Sequence, residues 1–172
     1  KPASGERSLS AVTWSIHAKT HGFHLDRHNV FFQNTYADEF EAIFNRKALP
    51  NKPTVYVCAQ DRGIDAPVPE EGERLLCLVN APAVGDQDVL THEAIEQCQH
   101  NSFQLLQQCG LQLHSTPSQM QRTTPIEFNR LFAGTGGALY GQATHGWMSA
   151  FRRPSARSKV PGLYTAGGSV HP

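Results

Sequence analysis

The sequence predicts an α+β fold, in which strands dominate the first half of the chain and helices are inserted between and after them. Two observations predict this fold: several short runs of β-branched and aromatic residues, and one later stretch with helical spacing of its apolar residues. The 172 residues are 39% hydrophobic and 17% charged, as in an ordinary globular chain. A chain of this length can bury roughly 70% of its unfolded surface, which is enough for one core.

Four runs in the first eighty residues predict β-strands. They are residues 9–16, 28–32, 54–58 and 74–79. The last run is apolar on both faces, which favours a central position in the sheet. Residues 61–73 are acidic and contain two prolines, so we expect an exposed loop there.

Helical spacing predicts three helices. Thr35 is a candidate N-cap for a short first helix, and residues 91–109 form the longest one, with Gly110 just after its end. Residues 121–124 predict a short strand, and Pro125 opens a brief third helix. The apolar residues with helical spacing are Tyr36, Phe40, Ile43 and Phe44 in the first helix and Ile95, Cys98, Leu105, Leu106 and Cys109 in the second.

The charged residues are distributed unevenly. Residues 1–121 carry nine Lys or Arg and fourteen Asp or Glu, whereas residues 122–172 carry six and one. A basic C-terminal part suits phosphates or lipid head groups, and equally a solvated face. Because it lacks interleaved aromatic residues, we expect no nucleic-acid partner. No run approaches the ~18 apolar residues of a membrane-spanning helix, so a membrane role would be peripheral.

The cysteines and histidines predict neither a disulfide nor a metal site. Cys98 and Cys109 would lie about 16 Å apart on one helix, and we expect all four cysteines to be buried thiols in a reducing compartment. Four histidines stand at helix-like intervals: His17, His21, His24 and His28. Their surroundings are strand-like and supply no further ligand type, so we expect no metal.

Two glycine-rich segments are candidates for backbone contact with a ligand. In residues 134–141, Gly136, Gly137 and Tyr140 are candidates to face a cofactor ring or a substrate, and a tight connecting loop is the alternative. Near the C-terminus, a short β-prone run ends in Gly167 and Gly168. A strand that ends in glycines brings bare backbone close to a flat or charged group, usually ahead of a phosphate-binding helix.

The phosphate-binding helix would follow the last residue of the sequence, so we expect the chain to be part of a longer protein.

The sequence contains no GxSxG, GxxxxGK[ST] or GxGxxG motif. No residue can be assigned as a catalytic acid, base or nucleophile.

Three blocks spread over nearly the whole chain carry a family resemblance. They are residues 25–32 with the aromatic residues up to Phe44; residues 53–58 and 75–82; and Thr124, Pro125, Phe128, 136–141, 151–154 and 162–172. In this order they resemble the phytoene-desaturase-type carotenoid oxidoreductases. Within that family they resemble the hydroxyneurosporene and methoxyneurosporene desaturases, which introduce the 3,4 double bond of acyclic carotenoids.

The resemblance implies a Rossmann-like FAD domain assembled from both ends of a longer chain, and a substrate-binding domain with a mixed sheet. Residues 1–155 would belong to the substrate-binding domain, and residues 156–172 would return to the FAD domain. The residues that the resemblance places near the FAD are Gly167, Gly168, Ser169 and His171.

The partners implied by the resemblance are FAD, an acyclic carotenoid and a membrane surface to which a cytoplasmic protein binds peripherally. The basic residues that could assist membrane binding are Arg152, Arg153, Arg157 and Lys159. Two alternatives remain open: an FAD-dependent amine oxidase of the same superfamily, and a non-catalytic module that binds an apolar ligand.

In the whole protein, we expect Gly168→Val to abolish flavin loading and to leave the substrate-binding domain folded. A branched side chain would occupy the space that the ribityl or phosphate oxygens of the cofactor need. The measurement is the flavin absorbance of the purified variant. A normal flavin content would show that Gly168 is merely a turn residue.

Overall fold

The computed structural model describes residues 7–63, 69–140, 155–167 and residue 170. In chain order the elements are β1 (Ser10–Gly22), β2 (His28–Phe31), α1 (Tyr36–Phe40) with a following π-helical turn (Glu41–Asn45), β3 (Val55–Ala59), β4 (Glu73–Ala81), α2 (His92–Gln108), β5 (Leu111–His114), a 3₁₀ turn (Pro117–Gln119), β6 (Met120–Thr123) and α3 (Pro125–Leu131). The predicted α+β class is confirmed.

The six strands form one sheet, in which β1 is paired on both of its edges. The order is β2-β3-β4-β1-β5, and β6 pairs with β1 on the same edge as β5. The predicted central position of β4 is confirmed. All pairings between these strands are antiparallel, so the expected mixed sheet is wrong for the described part of the chain. Parallel neighbours need a crossover connection, whereas here each paired neighbour runs back in the opposite direction.

The core lies between α2 and one face of the sheet, the face on which the even-numbered residues of β1 lie. Trp14, Ile16 and Ala18 of this face are between 0% and 3% exposed. Phe103 of α2 meets the Trp14 ring edge to face, with ring centroids 5.5 Å apart. Cys98, Leu105 and Leu106 of α2 complete the same cluster. Burial of these side chains is the main stabilisation of the fold.

The predicted limits of α2 are confirmed by its caps. Thr91 is the N-cap, and its hydroxyl accepts a hydrogen bond of 3.2 Å from the Ala94 amide. Gly110 follows the C-cap with φ +89°, a conformation that glycine adopts without a steric penalty. None of the helices in the described ranges is long and apolar enough to cross a membrane.

The first helix differs from its prediction. Thr35 precedes α1, but its side chain makes no capping hydrogen bond. Tyr36, Phe40 and Phe44 do share one stripe, with successive ring centroids 4.9 and 6.0 Å apart. Ile43 lies on the buried side instead, at 1% exposure, in the π-helical turn that replaces regular helix after Phe40.

Two of the four cysteines match their prediction. Cys77 and Cys98 are buried, and burial raises the pKa of each thiol to about 12, which keeps them neutral. Cys58 is half-buried and Cys109 is exposed, so the expected burial is wrong for both. Cys109 is the C-cap of α2 and lies in the exposed turn, residues 107–110, that leads to β5.

The β-prone run near the C-terminus does not form a strand of the sheet in the described residues. Tyr164 makes an isolated antiparallel bridge with Arg157, and Leu163 and Tyr164 are 54% and 69% exposed. The expected strand is therefore reduced to a short hairpin-like contact.

A buried ion pair joins the far end of β1 to the loops beside it. Arg62 donates to both carboxylate oxygens of Glu73, at 2.7 and 2.8 Å, and to the Leu25 carbonyl oxygen at 2.6 Å. The Thr20 hydroxyl donates to the same carboxylate at 2.6 Å. Burial acts to raise the pKa of Glu73, but the hydrogen bonds from Arg62 and Thr20 outweigh it, so the pKa is lowered.

We expect Glu73→Gln to destabilise the protein by about 3 kcal/mol at pH 7, because the Arg62 charge would stay buried without its counter-charge. Because the pKa of Glu73 is lower in the folded state than in the unfolded state, its ionised form stabilises the fold at pH values above the unfolded-state pKa. The difference in unfolding free energy between wild type and Glu73→Gln should therefore shrink as the pH falls through the acid range. Urea unfolding at several pH values measures this.

The matched control is Asp61→Asn, which breaks the ion pair of Asp61 with Arg74, whose side chain is 67% exposed. That variant should lose much less stability, since solvent screens an exposed pair. Equal losses for the two variants would contradict the role assigned to Glu73.

Candidate functional site

A groove opens where the strand pairing along β1 is interrupted. His114 of β5 pairs with Lys19 of β1, and Met120 of β6 pairs with Ile16, so five residues lie opposite two residues of β1. The chain leaves the sheet there in a 3₁₀ turn that begins at Pro117, a residue with no N–H for the ladder. The excursion forms one wall of the groove.

The groove has a volume of about 880 Å³, which is within the range of small-molecule sites. α2 lies on one side of it, and β6 and the start of α3 lie on the other. The apolar lining comprises Leu90, Ile95, Met120 and Ile126, and the polar lining includes His92, Gln99, Thr116, Gln121, Arg122 and Glu127. Leu90 and Ile95 are 7% and 6% exposed, so the floor is apolar and the rim is polar.

Gln99 is the polar residue with the most defined orientation in the groove. Its amide oxygen accepts a hydrogen bond of 2.8 Å from the indole N–H of Trp14, a side chain that is fully buried. The same oxygen accepts a second hydrogen bond, of 3.1 Å, from Arg122. Two donors on the oxygen fix which way the amide points, since the NH₂ end could accept neither of them.

The two groups that carry a full charge in the groove, Arg122 and Glu127, both have hydrogen-bond partners. Arg122 donates to Glu96 at 2.6 Å, and this hydrogen bond lowers the pKa of Glu96. Burial acts to raise the pKa of Glu127, but hydrogen bonds from the Thr124 hydroxyl and amide outweigh it and lower the pKa. The groove therefore offers no uncompensated cation that would favour an anionic ligand.

The predicted ligand-facing glycines, Gly136 and Gly137, are packed against the chain itself. A Cβ on Gly136 would overlap the Arg7 guanidinium and the Ala83 carbonyl, and one on Gly137 would overlap the Pro125 carbonyl. Arg7 is held there by two hydrogen bonds of 2.7 Å to Asp86. Internal packing accounts for both glycines, and their contact with a cofactor or substrate stays a prediction.

The other predicted site residues are not brought together with the groove by any described contact. Tyr140 is 69% exposed, and its amide donates to the Ser8 hydroxyl at 3.1 Å. Gly167 has φ +144° and open space where a Cβ would be. Gly168, Ser169 and His171 lie outside the described residues.

The four histidines lie in the non-helical setting that the sequence predicts. His17 and His21 are on β1, His24 follows it, and His28 begins β2. His28 Nδ1 lies 2.7 Å from the Tyr56 hydroxyl. Within the described ranges, no group of three His, Cys, Asp or Glu side chains is arranged to hold a metal ion.

Sequence reasoning missed the groove, although one signal for it is present. Gln99 stands four residues after Ile95 and three before Ser102, on the buried stripe of α2. A long polar side chain on such a stripe needs a buried partner or a ligand. The partner is Trp14, which is 85 residues away and could not be identified from spacing.

An antiparallel sheet, a helix packed on it and a groove with an apolar floor define a domain with space for a largely apolar ligand. No protein-family model matches the chain.

Over nearly its whole length, the chain is similar to carotenoid desaturases. It is 55% identical, over 99% of the chain, to the hydroxyneurosporene desaturase of Rubrivivax gelatinosus, and 43% identical, over 96%, to that of Rhodobacter capsulatus. It is 31% identical, over its full length, to the 1-hydroxycarotenoid 3,4-desaturase of a Flavobacterium species. The matched parts are 32%, 32% and 35% of these relatives, so the chain spans about a third of their length. The resemblance to the carotenoid desaturases is thus confirmed.

We expect Gly136→Ala to destabilise the protein by at least about 3 kcal/mol, because the new methyl group must displace the Arg7 guanidinium and a backbone carbonyl. Thermal and urea unfolding measure the loss. The matched control is Gly110→Ala, which has a similar positive φ but open space at the Cβ position. Gly110→Ala should cost about 1 kcal/mol, from backbone strain alone.

Similar losses for the two glycine variants would show that the close approach to Arg7 contributes nothing. The role of Gly136 would then be limited to its backbone conformation.

Proposed function

We propose that this chain is part of an FAD-dependent desaturase that removes a pair of hydrogen atoms from an acyclic carotenoid. The observation that carries the proposal is the 55% identity to a hydroxyneurosporene desaturase over 99% of the chain. Relatives named as carotenoid desaturases in three organisms match nearly the whole chain, so the similarity is not confined to one motif.

The groove beside α2 supports an apolar substrate. Its floor is aliphatic, its one Arg is paired with Glu96, and its volume suits one end of a long molecule. A polyene hydrocarbon offers no charge for an ion pair, so its binding depends on apolar area. We therefore assign the groove to the substrate-binding domain and to one end of the carotenoid.

The residues predicted to lie near FAD are compatible with that cofactor where they are described. Gly167 leaves open space beside its backbone, as a close approach to a ribityl or phosphate group requires. The exposed Leu163 and Tyr164 before it would be covered if they joined the sheet of an FAD domain. FAD supplies the acceptor for the removed hydrogen, and the protein supplies position and a dry site.

A membrane surface is the source from which such a substrate must come, because carotenoids partition into lipid. We propose that the whole protein binds the membrane peripherally, from the cytoplasm. Arg157 and Lys159 are exposed and can approach anionic head groups, while Arg152 and Arg153 lie outside the described residues. Each basic residue close to such a surface contributes about 1 kcal/mol.

The decisive experiment uses the full-length protein with FAD and vesicles that contain a hydroxylated acyclic carotenoid. We expect the absorption of the carotenoid to shift to the red, since one more double bond joins the conjugated system. Mass spectrometry should show the loss of two hydrogen atoms. The control is the same protein stripped of FAD, which should give no shift, and flotation with the vesicles measures membrane binding.

Other products would support other functions. Peroxide release with amines and no change in any carotenoid would favour the amine oxidase. Carotenoid binding without turnover by the flavin-loaded protein would favour the non-catalytic module. A product that gains oxygen rather than losing hydrogen would contradict a desaturase.

A further inference from the structure

We propose that the Gln99 amide in the groove beside α2 recognises the hydroxyl group of a hydroxylated carotenoid and thereby selects it over the hydrocarbon. This inference rests on the proposed function and adds to it a substrate feature and the residue that reads it. It starts from the orientation of one side chain.

The NH₂ group of Gln99 is the part of the amide that remains available to a ligand. The oxygen is occupied by the Trp14 indole and by Arg122, and the NH₂ group has no hydrogen-bond partner among the described residues. Rotating the amide would lose both bonds and would place its donors against the Trp14 and Arg122 donors. Gln99 is half-buried and lines the groove, so this orientation leaves a fixed donor for a ligand there.

The surroundings of this donor select a neutral acceptor. Arg122 is paired with Glu96, and the Glu127 carboxylate is held by the cap of α3, so an anionic ligand would gain no ion pair. Leu90 and Ile95 provide an apolar floor. A fixed amide donor above an aliphatic floor fits an apolar chain that carries a neutral acceptor such as an alcohol oxygen.

The relatives supply the chemical identity of such a molecule. One of them is named 1-hydroxycarotenoid 3,4-desaturase, which states a hydroxyl on carbon 1 and a new double bond between carbons 3 and 4. Only carbon 2 separates carbon 1 from carbon 3. A residue that holds the hydroxyl therefore also limits where the reacting carbons lie, which makes Gln99 a positioning and specificity residue.

The specificity should be measurable as a ratio. A site with an amide donor for a hydroxyl disfavours the analogue that lacks the hydroxyl, because the donor is then desolvated without a partner. We expect the wild-type protein to have a higher kcat/KM for a 1-hydroxycarotenoid than for its deoxy analogue, in which a hydrogen atom replaces the hydroxyl group. The ratio of the two values cancels the fraction of active enzyme in a preparation.

The informative variant is Gln99→Met in the full-length protein. The thioether side chain has a similar length but no N–H donor for the substrate hydroxyl. We expect the substrate ratio to fall about tenfold, mainly through loss of the hydroxylated substrate. Near-UV circular dichroism checks that Trp14, which loses its Gln99 acceptor, stays packed in the core.

Two further variants separate the explanations. Gln97→Met makes the same change two residues earlier on α2, where the Gln97 amide donates to Asn101 at the exposed surface. It should leave the substrate ratio unchanged. Gln99→Glu keeps an oxygen acceptor for Trp14 and Arg122, and its second oxygen can accept a hydrogen bond from the substrate hydroxyl, so it should retain a higher ratio than Gln99→Met.

The outcomes distinguish this inference from the proposed function. If the wild-type protein desaturates both carotenoids equally well, the desaturase proposal stands and hydroxyl recognition is wrong. If Gln99→Met keeps the wild-type ratio, or Gln97→Met lowers it equally, Gln99 is not the residue responsible. A ratio for Gln99→Glu as low as that for Gln99→Met would likewise contradict direct contact between this side chain and the hydroxyl. If the wild-type protein desaturates neither carotenoid, the proposed function fails and this inference fails with it.

Discussion

The pairing of β1 along both of its edges is the constraint on which the rest of the structure depends. One edge is occupied by β4 over nine residue pairs, and the other is shared by β5 and β6. Because both edges are used, the inward residues of β1 are fixed in register with their neighbours. Trp14 is thereby placed at the centre of the core, in contact with α2.

Buried charges hold the two ends of this arrangement. The Arg62 and Glu73 pair closes one end, and Arg7 with Asp86 closes the other, where it also supports the loop of Gly136. Buried ion pairs contribute little net free energy, but removing one partner is costly. The main effect of these two ion pairs is therefore to define which loops lie against the sheet, and their net contribution to the stability of the fold is small.

The groove follows from the same constraint. β5 and β6 occupy one edge of β1 in succession, and the five residues between them have only two residues of β1 opposite. The chain must leave the sheet there, and the space between this excursion, α2 and α3 is the groove. Since Trp14 donates its indole N–H to Gln99, a residue of the core orients a polar side chain that lines the groove.

The sequence by itself determined the elements whose signals are local. Thr91 and Gly110 mark the ends of α2, and the apolar run of β4 marks a central strand, because caps and burial patterns act within a few residues. The blocks of family resemblance were also readable from the sequence, and the comparisons confirmed them.

Only the tertiary structure decided the features that join distant residues. Four features depend on which segments become neighbours in the fold. They are the antiparallel sheet, the exposure of Cys109, the packing of Gly136 against Arg7 and the groove beside α2. Trp14 and Gln99 are 85 residues apart, and their hydrogen bond exists only because α2 lies across β1. The physical reason is that hydrogen bonds and steric contacts act over a few ångströms in space and leave no fixed spacing in the sequence.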